Sequence, residues 1–145
     1  MCVKELTMNL NQLKRILPLR TALALGLALC LSAPALQAAT PTELRNAYRA
    51  RAGTPAVAAR GEQFFTSSHG REWTCSSCHG AKPTVPGKHA STGKTIAPLA
   101  PRVNSEAFTD EARAEKWFRR NCNDVLGREC SAAEKADVLT WLIGL

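Results

Sequence analysis

The chain has 145 residues, 45% of them hydrophobic and 21% charged, enough for one ordinary domain and too few for a multidomain enzyme. Its formal charge is +7, from 19 basic and 12 acidic residues. Part of that basicity lies ahead of residue 39, and the basic residues beyond it are interleaved with acids in no visible stripe, which argues against nucleic-acid binding.

Residues 1–38 carry the pattern of an export signal. Lys4, Lys14, Arg15 and Arg20 precede an apolar run from Thr21 to Leu31, and Pro34 and Ala35-Leu36-Gln37-Ala38 follow. The run is shorter than the roughly 20 apolar residues of a spanning helix. Cleavage is expected after Ala38, although Leu36 stands where a small residue is usual; Met8 is an alternative start. Leu29 ahead of Cys30 makes a poor lipidation signal. Four of the 19 basic and one of the 12 acidic residues lie in this leader, so residues 39–145 keep a formal charge of +4. They also keep four of the six cysteines, Cys75, Cys78, Cys122 and Cys130, and no methionine. Export to an oxidising compartment, the periplasm, favours a disulfide for any pair not otherwise used.

The domain, residues 39–145, reads as all-α. Thr40-Pro41-Thr42-Glu43 starts a first helix, with Thr40 as cap and Pro41 in the first turn, and Gly53 ends it. Thr54-Pro55 repeats the start signal for a second helix to about Thr66, whose apolar face holds Val57, Ala58, Gly61, Phe64 and Phe65. Glycine in that face admits close approach by another helix. From Gly80 to Arg102 the density of proline and glycine predicts an ordered loop without strands. Thr109-Asp110-Glu111 starts the next helix, with Arg119-Arg120 in its last turn as the helix dipole favours. Ser131-Ala132-Ala133-Glu134 is a capping box for a closing helix with Val138, Trp141, Leu142 and Leu145 on one face.

Cys75-Ser76-Ser77-Cys78-His79 has the spacing for attaching a c-type haem. Two thiols add across the two haem vinyl groups, and the adjacent imidazole reaches the iron from the same side; covalent attachment holds the cofactor even in a small pocket. A redox-active dithiol is the first alternative, weakened because a helix and not a strand precedes the motif. Four thiolates on zinc are the second, for which the spacing of Cys122 and Cys130 fits poorly. The helix with Gly61 and Phe65 and the closing helix with Trp141 and Leu142 resemble the crossed terminal helices of class I c-type cytochromes, a fold of short helices around one covalently attached haem. In that class a proline carbonyl orients the proximal imidazole, which points here to Pro83 or Pro86. Arg71, Arg102, Arg119 and Arg120 are candidates for holding haem propionates.

Cytochromes of this class usually take methionine as the second axial ligand, and residues 39–145 have none. The candidates are His69, His89, Lys88 or Lys94, the amides of Asn104, Asn121 and Asn123, or an open position. His69 precedes the motif and reads as an ordinary polar residue; His89 sits in the loop that should support the proximal side; the two lysines read as solvated charges. Asn121, 42 residues after His79 and following an aromatic-rich helix, has enough chain to reach the distal wall, or serves as a left-handed helix cap.

Further segments narrow this choice. Thr92-Gly93-Lys94-Thr95-Ile96-Ala97-Pro98-Leu99-Ala100-Pro101, then Phe108-Thr109-Asp110, Lys116-Trp117-Phe118-Arg119-Arg120-Asn121-Cys122 and Asp124-Val125-Leu126-Gly127-Arg128-Glu129-Cys130 resemble the sphaeroides haem protein family over nearly all of the domain. The resemblance implies a high-spin-capable cytochrome c with one haem c, with Cys75, Cys78 and His79 as attachment residues and proximal ligand, and Asn121 as sixth ligand of the oxidised iron. Cys122 and Cys130 then make sense as a disulfide beside that ligand. An amide suits ferric iron better than ferrous, so reduction is expected to release Asn121 and open the haem to oxygen, nitric oxide or another diatomic ligand. The resemblance also implies redox partners such as a dihaem cytochrome c or a membrane cytochrome b, and the positive charge favours an acidic docking face. The alternatives are a plain electron-transfer cytochrome with permanent six-coordination and a thiol oxidoreductase.

Overall fold

The computed structural model describes residues 39–145, so the expected export signal lies outside the described residues. Five helices and one minimal hairpin follow in chain order. Helix α1, Pro41–Ala52, starts as its sequence dictates: Thr40 Oγ1 accepts from the Glu43 N–H at 3.1 Å, and the Glu43 carboxylate accepts from the Thr40 N–H at 2.7 Å. Gly53, at φ 65, closes it in the left-handed region that a side chain would disfavour. Its inward stripe is Leu44 and Tyr48, one turn apart and both almost fully buried.

Helix α2, Ala58–Thr66, begins later than the Thr54-Pro55 signal suggests. Val57 is its cap and has no polar side chain; the Asp137 carboxylate, 80 residues further on, accepts from the Val57 N–H at 2.6 Å and takes over that work. Thr54-Pro55-Ala56 therefore stays non-helical. Asp137 belongs to the closing helix α5, Ala132–Ile143, which starts in the expected Ser131/Glu134 capping box. A Cβ on Gly61 would overlap the Asp137 carbonyl, so α2 and α5 cross at backbone contact there. One turn on, the Phe65 and Trp141 rings pack with centroids 5.0 Å apart.

α5 is buried on more than the single face its sequence suggests. Because α1 packs on one side of it and α2 on another, Lys135, Ala136, Asp137 and Leu139 are buried along with Val138, Trp141 and Leu142. Between α2 and the fourth helix lie α3, Cys75–His79, and the proline-rich loop. That loop is ordered as expected, but it holds a short antiparallel hairpin: β1, Gly87–Lys88, pairs with β2, Thr95–Ile96, in the register Gly87 to Ile96 and Lys88 to Thr95. Strands of two residues are too short to leave a periodic pattern. The Pro83 carbonyl accepts from the N–H groups of Leu99 and Ala100 and folds the loop back on itself.

Helix α4, Glu111–Leu126, is capped by Asp110, whose side chain accepts from the Arg113 N–H at 2.9 Å, and ends at Gly127 with φ 72. It continues well past Arg119-Arg120. Asn121 is therefore inside the helix and does not follow it, and the left-handed cap is Gly127.

Candidate functional site

Helix α3 is a single turn whose start is fixed by a reciprocal pair: Thr74 Oγ1 accepts from the Ser77 N–H, and Ser77 Oγ accepts from the Thr74 N–H. That turn places Cys75 and Cys78 three residues apart on one side, with His79 at its end. Both cysteines are free and half-buried. Burial, with a smaller contribution from neighbouring Cys78, pushes the Cys75 thiol up to about 11. This is the reverse of the lowered pKa that activates a redox dithiol. Burial also lowers the His79 pKa, which favours the neutral imidazole, the form that binds a metal. The Phe65 ring lies 6.1 Å from the His79 ring, so the imidazole rests on the α2–α5 crossing.

The hairpin supports the same turn from the other side. A Cβ on Gly87 would overlap the Cys78 carbonyl and come within 3.0 Å of the His79 Cα, so β1 runs hard against α3. Of the two prolines considered for orienting His79, Pro83 has its carbonyl engaged by the N–H groups of Leu99 and Ala100, at 3.0 and 3.1 Å, and Pro86 stands next to Gly87.

The candidates for the opposite side separate by what their polar atoms already do. His69 Nε2 is bonded to the Phe64 carbonyl at 2.8 Å. His89 Nδ1 accepts from the Thr92 N–H and pairs with the Ser91 hydroxyl, closing the hairpin turn. The amide of Asn104 donates to the Pro98 carbonyl at 2.7 Å, and that of Asn123 to the Arg119 carbonyl at 2.7 Å. Lys88 and Lys94 are exposed. Asn121 is half-buried, and among the described residues no protein group hydrogen-bonds its side-chain amide. Its helix neighbours include half-buried Phe118, stacked on Phe108 with centroids 6.2 Å apart, and Trp117, which keeps 47% of its surface exposed.

Phe108 has φ 61, a left-handed conformation rare for an aromatic residue, and composition gave no hint of it. Cys122 and Cys130 bring their sulfur atoms to bonding distance across a Cα separation of 5.6 Å. They meet each other and not the α3 thiols, and among the described residues no His/Cys/Asp/Glu cluster is arranged to hold a metal ion, which removes the zinc alternative. Arg71, Arg102, Arg119 and Arg120 are exposed and take part in no ion pair among the described residues. The Arg120 guanidinium lies 5.7 Å from the Trp117 ring, and that of Arg71 rests against Gly127 at the end of α4. A second charged group, Lys135 with Glu115, Arg51 and Tyr48, escaped sequence reading; no local signal marks a lysine that folding will bury.

Residues 51–142 match the family described as domain of unknown function DUF1924. The chain is 50% identical over 121 residues to the cytochrome c-type protein SHP of Cereibacter sphaeroides, covering 80% of this chain and 93% of that protein. The structure of oxidised SHP, an oxygen-binding cytochrome c, superposes with a TM-score of 0.70 at 48% identity, covering 74% of this chain and 98% of that one. The solution structure of Methylophilus methylotrophus cytochrome c'', analysed for haem-ligand detachment, gives a TM-score of 0.63 at 36% identity, covering 72% and 93%. With its helices in the cytochrome c arrangement and these relatives matched over most of their length, the chain belongs to the sphaeroides haem protein family of c-type cytochromes.

Proposed function

We propose that the protein is a periplasmic monohaem cytochrome c that exchanges electrons and, when reduced, releases a weak asparagine ligand to bind a diatomic molecule such as oxygen or nitric oxide. When bound, haem c supplies a one-electron iron couple and a coordination position for a small ligand. Cys75 and Cys78 hold it by thioether bonds, and both thiols are free on one turn. His79 is the proximal ligand, its neutral form favoured by burial and its ring steadied by Phe65 and the tight passage of β1. Phe108 and Phe118 contribute apolar surface on the α4 side, and the unpaired Arg71, Arg102, Arg119 and Arg120 remain as counter-charges for propionates.

The observation that carries the proposal is the amide of Asn121. Each of the other amides and imidazoles weighed for the sixth position is oriented by at least one hydrogen bond within the fold, whereas the Asn121 amide is half-buried and makes none among the described residues. A neutral carboxamide oxygen is a weak donor that favours ferric over ferrous iron. Asn121 can leave by a side-chain rotation, without any change in the backbone of α4. The Cys122–Cys130 pairing, taken as a disulfide, restrains the end of the helix that carries it.

Spectra in both redox states test this directly. The ferrous protein should bind carbon monoxide and nitric oxide, and Asn121→Val should change the ferric spectrum and leave ferrous ligand binding intact. A ferrous protein that stays six-coordinate and refuses diatomic ligands would be a plain electron carrier. Colour that survives acid and organic extraction distinguishes covalent haem from a thiol oxidoreductase, against which the raised Cys75 pKa already argues. The export signal is tested by the N-terminus of the mature protein, expected at Ala39. The redox partner, a dihaem cytochrome c or a membrane cytochrome b, should bind through an acidic face and dissociate with added salt. Among the described residues no helix is long and apolar enough to cross a membrane.

A further inference from the structure

Resting on the assignment of Asn121, we propose that a charged clamp, buried Lys135 on half-buried Glu115 with exposed Arg51 closing it around Tyr48, sets how firmly α4 presents Asn121 to the haem iron. Lys135 and Glu115 are then positioning residues, acting on the ligand through the helix that carries it.

The starting point is how α4 is held. Among the described residues it approaches no other helix or strand closely along its length, unlike α1 and α2, which both lie against α5. Long side chains bridge the gap. From α5, Lys135, only 8% exposed, reaches Glu115 with Nζ 2.6 Å from Oε2. The same ammonium stands 5.3 Å from the centre of the Tyr48 ring and 5.8 Å from that of Phe118. From α1, Arg51 reaches Glu111 at 2.6 Å and Glu115 at 3.3 Å, and its guanidinium lies 5.1 Å from the centre of the Tyr48 ring. Tyr48 meets Phe118 edge-on at 5.9 Å. α1, α4 and α5 are thus joined around one aromatic ring by an ammonium, a guanidinium and two carboxylates.

Register carries the effect to the ligand. Glu111, Glu115 and Phe118 recur at helical spacing, so they share the stripe of α4 that the clamp grips, and Asn121 follows Phe118 by three residues. A small rotation of α4 about its axis swings the Asn121 amide sideways and changes where it points. Where backbones do not meet, apolar burial alone specifies such a rotation only weakly, because it is non-directional. An ammonium that must meet one carboxylate and two ring faces specifies it more closely. The chemistry is also an expensive way merely to attach a helix, since a buried ion pair is often no more stabilising than a well-packed apolar replacement. Its distinctive contribution is orientation.

The experiment uses the haem-loaded protein with Lys135→Met and Lys135→Arg, each with Asn121 and with Asn121→Val. Lys135→Met should lower the ratio of Asn-bound to Asn-free ferric protein about tenfold, a fraction of the cost of breaking a buried pair. It should raise the midpoint potential, because a ligand that favours the ferric state is weakened, and speed hydrogen exchange in α4 while leaving α2 unchanged. Lys135→Arg should restore both spectrum and potential. In the Asn121→Val background, Lys135→Met should leave the potential where Asn121→Val puts it. If Lys135→Met does not accumulate, Glu115→Gln, which keeps the shape and removes the charge, carries the same expectations. A wild-type ferric spectrum and potential in the clamp variants would overturn the clamp alone. So would an equal potential shift with and without Asn121. A ferric spectrum indifferent to Asn121→Val would overturn the ligand assignment and the clamp with it.

Discussion

Helices α2 and α4 both join the core around α5, but α2 meets α5 backbone to backbone and α4 does so through side chains. α2 crosses α5 at backbone contact, where Gly61 admits the Asp137 carbonyl and Phe65 packs on Trp141. α4 stands off and is tied by Lys135, by Arg51 from α1, and by the Cys122–Cys130 pairing. Backbone contact fixes α2 directly, whereas α4 keeps its distance and takes its orientation from the charged groups that reach it. The backbone crossing backs His79, proposed as the permanent ligand, and the helix held by side-chain tips carries Asn121, proposed as the labile one. Fixed and labile coordination thus correspond to two ways of docking a helix.

The tight side breaks first and hardest. Gly61→Ala places a methyl group on the Asp137 backbone, which cannot give way as a side-chain tip would. The expected loss is about 3 kcal/mol or more, with poor haem incorporation, read by thermal unfolding and by haem absorbance per protein. Asp137→Ala strikes the same crossing through polar groups: it orphans the Val57 N–H and frees Arg60, which now gives the carboxylate two hydrogen bonds at 2.8 and 3.0 Å. A loss of about 2–3 kcal/mol is expected, with faster hydrogen exchange at the start of α2. If either variant loosened α4 more than α2, the contrast between the two dockings would be wrong.

How far the sequence discloses these features depends on the range over which they act. The Thr40/Glu43 and Ser131/Glu134 boxes and the five-residue attachment motif are local patterns, and each folds as its residues suggest. The start of α2 departs from the Thr54-Pro55 signal because the group that caps it, Asp137, is 80 residues away. The end of α4 was misread because Arg119-Arg120 fits a last turn, although Gly127 is the stronger stop signal seven residues on. That shift matters, since it moves Asn121 from a loop into a helix and makes its aim depend on helix docking. The hairpin and the Lys135 clamp arise from tertiary contact alone; a lysine in an amphipathic pattern reads as solvent-facing until three helices close over it.

Acid separates the two dockings more gently. The Arg128 hydrogen bonds, aided by Ser131 and opposed by burial, hold the Glu134 carboxyl down to about 2. Burial pushes Glu115 up, but the Lys135 ammonium above all draws it down and leaves its pKa lowered. Carboxylates lowered in the folded state contribute stability above their ordinary pKa and lose it as pH falls through the folded value. Both serve the α4 side, Glu115 directly and Glu134 at the start of α5 beside Cys130. Between about pH 5 and pH 2 the protein should lose about 2 kcal/mol, after discounting for solvent exposure. The spectral signature of Asn121 coordination should fade before α2 hydrogen exchange rises. Simultaneous loss of both would mean that the two helices are not held independently.

The smallest effect probes the middle of the clamp. The Tyr48 hydroxyl is buried with no hydrogen-bond partner among the described residues, and burial together with the Glu115 charge raises its pKa well above the ordinary phenol value. Its aromatic ring meets Lys135, Arg51 and Phe118, and none of those contacts needs the oxygen. Tyr48→Phe should therefore leave stability unchanged or raise it by up to about 1 kcal/mol, because it removes an unsatisfied polar atom. The ferric spectrum and midpoint potential should stay at wild-type values, whereas Tyr48→Leu, which removes the π face, should move both in the direction of Lys135→Met. A loss on Tyr48→Phe comparable to that of Tyr48→Leu would show that the hydroxyl bonds to Glu115 in solution, and the clamp would then be a hydrogen-bonded chain and not a cation held between rings.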